Sequence, residues 1–262
     1  MLPELRSVMV TRYVTPLREG GSLPAIAEAD DGFLYVIKFR GAGQGVKALI
    51  AELIGSELAR SAGFKIPELV FATLDEAFGR TEPDEEIQDL LKRSQGLNLG
   101  LHYLSGSITF DPVVTKPDAQ FASRMVWLDA FLTNVDRTVK NTNMLWWNKE
   151  IWLIDFGASL YFHHNWENRT GQAGKPFLQI KDHVLLPWAT ELEQADHFFK
   201  NLVSEKMISD IVASIPDAWL KETVFDESPD DIRTAYFDFL TERIKHSATF
   251  VKTAEDARSA VV

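Results

Sequence analysis

One stretch of this sequence carries side chains of the types that move a phosphoryl group. Asn134-Val135-Asp136-Arg137-Thr138-Val139-Lys140-Asn141-Thr142-Asn143 holds Asp136 and Asn141, with Leu153-Ile154-Asp155-Phe156-Gly157 following. Phosphoryl transfer needs a carboxylate beside the attacking hydroxyl, to orient it and accept its proton. It also needs an amide oxygen and a second carboxylate to hold the Mg²⁺ that bridges the phosphates. Hard oxygens in small number suit Mg²⁺, which keeps several of its waters. Asp136 is therefore the candidate base, and Asn141 and Asp155 are candidate metal ligands. Each piece alone has a plain structural explanation, since Asp-Arg after a helix is commonly a cap or a surface ion pair and Asp-Phe-Gly a turn. Their order, with strands between them, points to chemistry.

A matching half lies earlier in the chain. Lys38 stands on a strand-like segment after a glycine-bearing loop, and Glu52 on the helix pattern that follows. A strand lysine that reaches the α- and β-phosphates, held by a helix glutamate, is the arrangement this chemistry uses. Leu34 and Val36 share the face of Lys38 and would line an adenine pocket. Glu57 competes with Glu52, and Glu52 is preferred by its position relative to the apolar stripe. Gly20, Gly21 and Ser22 could turn backbone amides toward phosphate. An edge-strand lysine and an ordinary glycine loop are the structural alternatives.

The elements that must place these groups are readable. Gly32 to Arg40 alternates with period two, a strand entered through a hairpin turn at Glu28-Ala29-Asp30-Asp31-Gly32 with Asp-Gly as the turn pair. Gly41 to Gly45 ends it, and Leu49, Ile50, Leu53, Ile54 and Leu58 stripe a helix from Val46 to Ser61, closed by Gly63. Strands are expected at Leu69 to Leu74 and Leu97 to Tyr103, with a short helix between them after Glu82 to Glu86. Pro117-Asp118 opens a long helix to about Asn134. Met144 to Trp147 and Ile151 to Ile154 flank a turn. Several helices follow Trp188, the last opened by the Ser228-Pro229 cap, with the tail after Thr253 expected to fray. The layout is α+β: a sheet-rich N-terminal nucleotide-binding lobe over 1–104 and a helical catalytic lobe over 105–262, with a cleft between them.

Composition limits the function classes. The chain has 262 residues, 45% hydrophobic, with a net charge of −11 and no cysteine. An acidic surface argues against nucleic acid and anionic lipid as partners. No cysteine means no disulfide frame and no thiolate metal site, and the histidines lack zinc spacing. Without a transmembrane run or a recognisable secretory leader, the cytoplasm is the expected location. His163 and His164, adjacent in a segment read as extended, are expected to face opposite ways, and Trp146, Trp147 and Trp152 to pack the hairpin.

Residues 134–147 and 151–164, with the Gly20–Pro24 loop ahead of Lys38 and the segment Ile180–Pro187, resemble the short HipA-like kinase domain of bacteria. The resemblance covers about residues 10 to 245. It implies a two-lobed protein-kinase-like fold with ATP and Mg²⁺ as cofactors. Asp136 would then be the base, Asn141 and Asp155 the metal ligands with Asn143 nearby, Lys38 the phosphate-binding lysine held by Glu52, and Gly20–Ser22 the loop over the nucleotide. The chain departs from eukaryotic protein kinases in having Asn134-Val135 before the base and no Ala-Pro-Glu after Asp155-Phe156-Gly157. The expected function is transfer of the γ-phosphoryl group to an unidentified hydroxyl acceptor, which could be a protein serine or threonine or a small molecule. A nucleotide-binding scaffold without turnover, or a nucleotidyl transferase of the same fold, is the alternative.

Overall fold

A computed structural model describes residues 4–17, 23–76, 84–223 and 225–261. Five strands form a closed barrel: β1 (Arg6–Pro16), β2 (Ala25–Ala29), β3 (Leu34–Lys38), β4 (Leu69–Leu74) and β5 (Gly96–His102). Their order around the barrel is β1-β2-β3-β5-β4, with β1 running parallel to β4 to close it. Alternation in β3 sends Tyr35 and Ile37 into the barrel core and leaves Val36 and Lys38 on the other face. Antiparallel pairing sets Val36 opposite Leu101 and Lys38 opposite Leu99.

Between β3 and β4 runs α1 (Val46–Ser61), buried almost all round. Gly55 in its middle is a deliberate weakness, because glycine costs a helix interior about 1 kcal/mol against alanine. A Cβ at this position would lie 2.6 Å from the Cβ of Phe156, so only glycine lets helix and ring meet. The short α2 (Glu85–Arg93) is capped by the Asp84 carboxylate and closes over the barrel core with Ile87, Leu90 and Leu91.

A three-stranded sheet follows, made of β6 (Ile108–Thr109), β7 (Met144–Trp147) and β8 (Glu150–Leu153). Trp146 stacks on Phe110, and the Trp147 indole N–H donates to the Ser105 carbonyl, which pins the hairpin to the chain leaving the barrel. Helix α3 (Ala119–Leu132) starts at the Asp118 cap and ends at Thr133, whose φ of 55° turns the chain into the loop carrying Asp136. The rest is helical: α4 (Leu192–Leu202), α5 (Glu205–Ala213), α6 (Asp217–Leu220), α7 (Pro229–Lys245) and α8 (Ser247–Val261). These pack with α1 and α3 around the larger core, separate from the core inside the barrel. The protein is thus a sheet N-terminal region and a helical C-terminal region, as the sequence pattern implies.

The tail departs from expectation. Instead of fraying after Thr253, it continues as α8. Phe250 is fully buried, edge-on to Trp127 at 5.3 Å between ring centres, and Ala254 is buried one turn later. That apolar stripe stabilises the helix through tertiary contacts more than its small residues advertise.

Candidate functional site

β3, α1 and the segment after β8 converge on the Lys38 ammonium. Its Nζ donates to Glu52 Oε2 at 2.6 Å and to Asp155 Oδ1 at 2.6 Å. Burial would lower the Lys38 pKa, but the Asp155 and Glu52 charges outweigh it and hold the ammonium above its ordinary value. The Lys38 charge in turn holds Asp155 below the usual carboxylate range. Glu52 is fully buried, and desolvation leaves its pKa raised despite Lys38. Its Oε2 also accepts the backbone N–H of Phe156 at 2.8 Å. Glu57 is turned to Arg60 and does not compete for Lys38.

Asp136 faces the same cleft, a cavity of about 1530 Å³ between barrel and helices that Lys38, Asn141 and Asp155 also line. Asp136 Oδ2 accepts from the side-chain amides of Asn141 at 2.8 Å and Asn143 at 3.3 Å. Burial pushes the Asp136 pKa up, and the nearby Asp155 charge adds to this. Asn141 spends its amide nitrogen on Asp136, and Asp155 spends Oδ1 on Lys38 and on the N–H of Gly157. Among the described residues this leaves Asn141 Oδ1 and Asp155 Oδ2 without a protein partner. These are two hard oxygens in one cleft, a donor set that fits Mg²⁺ with several waters. Among the described residues no group of three or more His, Asp or Glu side chains gathers into a metal cage.

Gly20, Gly21 and Ser22 lie outside the described residues. The ends of their loop are joined where the N–H of Leu17 donates to the carbonyl of Pro24 at 2.7 Å, and both of these residues line the cleft.

A buried hub beneath the cleft went unread in the sequence. Arg137 donates from Nε to Asp129 Oδ2 at 2.6 Å and from Nη1 to the carbonyl of Asn143. Asp129 also accepts from Asn134 at 2.9 Å and from His183 Nε2 at 3.0 Å. The His183 Nδ1 accepts the N–H of Leu185, so the ring is neutral with its proton on Nε2. Arg137 Nη1 also reaches the carbonyl of Ile154 at 3.4 Å, which ties the loop bearing Asp136 to the residue before Asp155. Arg243 of α7 acts similarly on α3, donating to the carbonyls of Ala130 at 2.7 Å and Phe131 at 2.8 Å at the helix end.

His163 and His164 differ from expectation. Their segment is a 3₁₀ turn, Tyr161–His164, and not extended, so the two rings converge with Nε2 atoms 3.1 Å apart.

The model of the family described as HipA-like kinase matches residues 10–250. The chain belongs to this family. Membership carries the coarse function, a kinase-type phosphotransferase. The structure is similar to that of the Helicobacter pylori proinflammatory kinase CtkA, at 12% identity over 99% of both chains with a TM-score of 0.53, a likeness of fold. A lower score, 0.48, relates it to the Golgi casein kinase with Mn/ADP bound, at 12% identity over 99% of this chain and 75% of that one. No curated protein matches. No helix among the described residues is long and apolar enough to cross a membrane.

Proposed function

We propose that this HipA-like kinase binds ATP with Mg²⁺ and transfers the γ-phosphoryl group to a hydroxyl acceptor, between an N-terminal lobe of residues 1–104 and a C-terminal lobe of residues 105–262. The observation that carries the reading is Lys38 held between Glu52 and Asp155, with Asp136 across the same cleft.

Lys38 orients the α- and β-phosphates, and Glu52 fixes the lysine. Val36 and Leu101, paired across β3 and β5, line the adenine end of the cleft. The Gly20–Ser22 loop is assigned to the phosphates from its sequence. Asn141 and Asp155 hold the metal through the oxygens their protein contacts leave over. Bound there, Mg²⁺ neutralises charge on the phosphates. Asp136 orients the acceptor hydroxyl and takes its proton; its raised pKa makes it a better base than an ordinary surface aspartate. Asn141 and Asn143 hold that carboxylate in place. Little covalent chemistry is asked of the protein, and positioning with charge stabilisation supplies the rate. The net charge of −11 supports an acceptor other than nucleic acid, and the cytoplasm is the proposed location.

Calorimetric titration of ATP, with and without Mg²⁺, into the wild type and Asp155→Ala tests the reading. Magnesium-dependent binding that the variant loses is expected. Absence of binding in the wild type, or equal affinity in the variant, overturns it.

A further inference from the structure

Outside the groups assigned above, one chain of polar side chains runs from the protein interior to the cleft. Tyr236 of α7 is fully buried, and its hydroxyl meets His163 Nδ1 at 3.0 Å. His163 is fully buried too, and its Nε2 meets His164 Nε2 at 3.1 Å. The His164 ring lines the cleft and packs edge-on against Tyr161, another cleft residue.

The direction of this chain follows from proton counting. The Tyr236 hydroxyl has one hydrogen and, among the described residues, one partner. If it only accepted, that hydrogen would be buried without an acceptor, at a cost of about 1–3 kcal/mol. Tyr236 therefore donates to His163 Nδ1. Burial, reinforced by His164 and Lys47, keeps His163 neutral, so its one proton sits on Nε2 and is donated outward. His164 Nε2 is then the acceptor. Burial and the Lys47 charge disfavour protonation of His164 as well, and its single proton is left on Nδ1. Of the four ring nitrogens of the two histidines, His164 Nδ1 is the one without a protein partner among the described residues.

We propose that Tyr236 and His163 fix His164 as a neutral Nδ1–H donor on the cleft wall, where it binds a phosphoryl oxygen. The Lys47 charge, felt at both rings, adds positive potential near this wall; Lys47 itself leans over the Phe225 ring at 4.6 Å, and no carboxylate pairs with it among the described residues. The assignment deepens the phosphotransferase reading and rests on it for the source of the phosphate. The oxygen belongs either to the γ-phosphoryl group of ATP or to an anion bound separately in the cleft. A neutral donor suits this task, because it stabilises negative charge without giving up a proton to it.

Two measurements on the full chain decide it. Long-range ¹H–¹⁵N spectra of the ligand-free protein read the tautomers directly. His163 protonated on Nε2 and His164 on Nδ1 are expected, with the pattern lost in Tyr236→Phe. A His164 ring protonated on Nε2 overturns the proposal. Calorimetry then compares wild type, His164→Leu and His164→Asn, whose amide can restore a donor near Nδ1, using Mg-ATP, Mg-ADP and inorganic phosphate as probes. A loss of about tenfold in His164→Leu, the size of one hydrogen bond to a charged oxygen, with recovery in His164→Asn, is expected. Loss for ATP with ADP unchanged assigns the oxygen to the γ-phosphoryl group; loss for phosphate with both nucleotides unchanged assigns it to a separate anion. Equal affinities in wild type and His164→Leu for all three probes overturn the proposal. A wild type that binds phosphate but neither nucleotide overturns the kinase reading while leaving the donor standing.

Discussion

Glu52 Oε2 and the backbone N–H of Phe156 are hydrogen-bonded at 2.8 Å, and the same oxygen holds Lys38 at 2.6 Å. One carboxylate on α1 therefore sets both the strand lysine and the turn carrying Asp155. Moving α1 moves both together.

Replacing Glu52 with glutamine keeps an oxygen for Phe156 but removes the charge that holds Lys38. Glu52→Gln is expected to fold and to lose about tenfold in Mg-ATP affinity, the size of a charge-assisted hydrogen bond. Calorimetry beside a thermal melt separates the affinity loss from unfolding.

Asp136→Asn preserves shape and removes the base. Transfer should fall by about 10²–10⁴-fold with nucleotide affinity unchanged. In the wild type the base must be ionised, and burial raises its pKa. The acid limb of the rate profile should therefore lie above about 3.9, the ordinary aspartate value. A profile with its midpoint below that value would contradict the assignment.

Arg137→Ala would strand the buried Asp129 carboxylate. A loss of about 3–5 kcal/mol in stability is expected, as for a broken buried pair. Urea unfolding measures it, and a change under 1 kcal/mol would show that the hub is dispensable.

Protons should destabilise the fold before its carboxylates titrate. Burial lowers the pKa values of His163 and His183, so the folded state keeps both neutral. Below about pH 6.5 the unfolded chain binds protons that the folded one refuses, and stability falls with pH. Asp129 is held below the usual range by Arg137 and His183 against its own burial, so its contribution persists to more acidic pH. The urea midpoint should drop between pH 7.5 and 5.5, and an unchanged midpoint would show that neither ring is held neutral.

Phe250→Ala tests whether α8 belongs to the core. With the ring fully buried against Trp127, a cost of about 3–5 kcal/mol is expected. Denaturant midpoints give the value, and a cost near zero would return the tail to a frayed end.

The bounds of α1 and β4 were legible because apolar period and punctuating glycine or proline agree there. Strands β1 and β2 were not read, since β1 buries only Val8 and Val10 of its 11 residues and so carries little alternation. Lys38, Glu52, Asp136, Asn141 and Asp155 could be named from type and order; the structure brings four of them to one cleft, with Glu52 buried behind Lys38 and bonded to it. Glu52 was separable from Glu57 by helix position and family resemblance. The Asp129, Arg137 and His183 hub could not be read, because its members come from α3, a loop and the extended residue after a 3₁₀ turn, which meet only after folding. The histidine pair was misjudged through its backbone, since a 3₁₀ turn gathers side chains that an extended segment separates.

The closed order of the barrel has a further consequence. A sheet whose first strand also pairs with its last has little unpaired backbone: β1 gives Arg6–Met9 to β4 and Val10–Pro16 to β2, and β2 to β5 are paired on both sides, so strand addition by another chain has no full-length edge to use. Partners reaching the N-terminal half through β2 to β5 must read side chains, and the selectivity of any such contact is open to change by point substitution without disturbing the sheet.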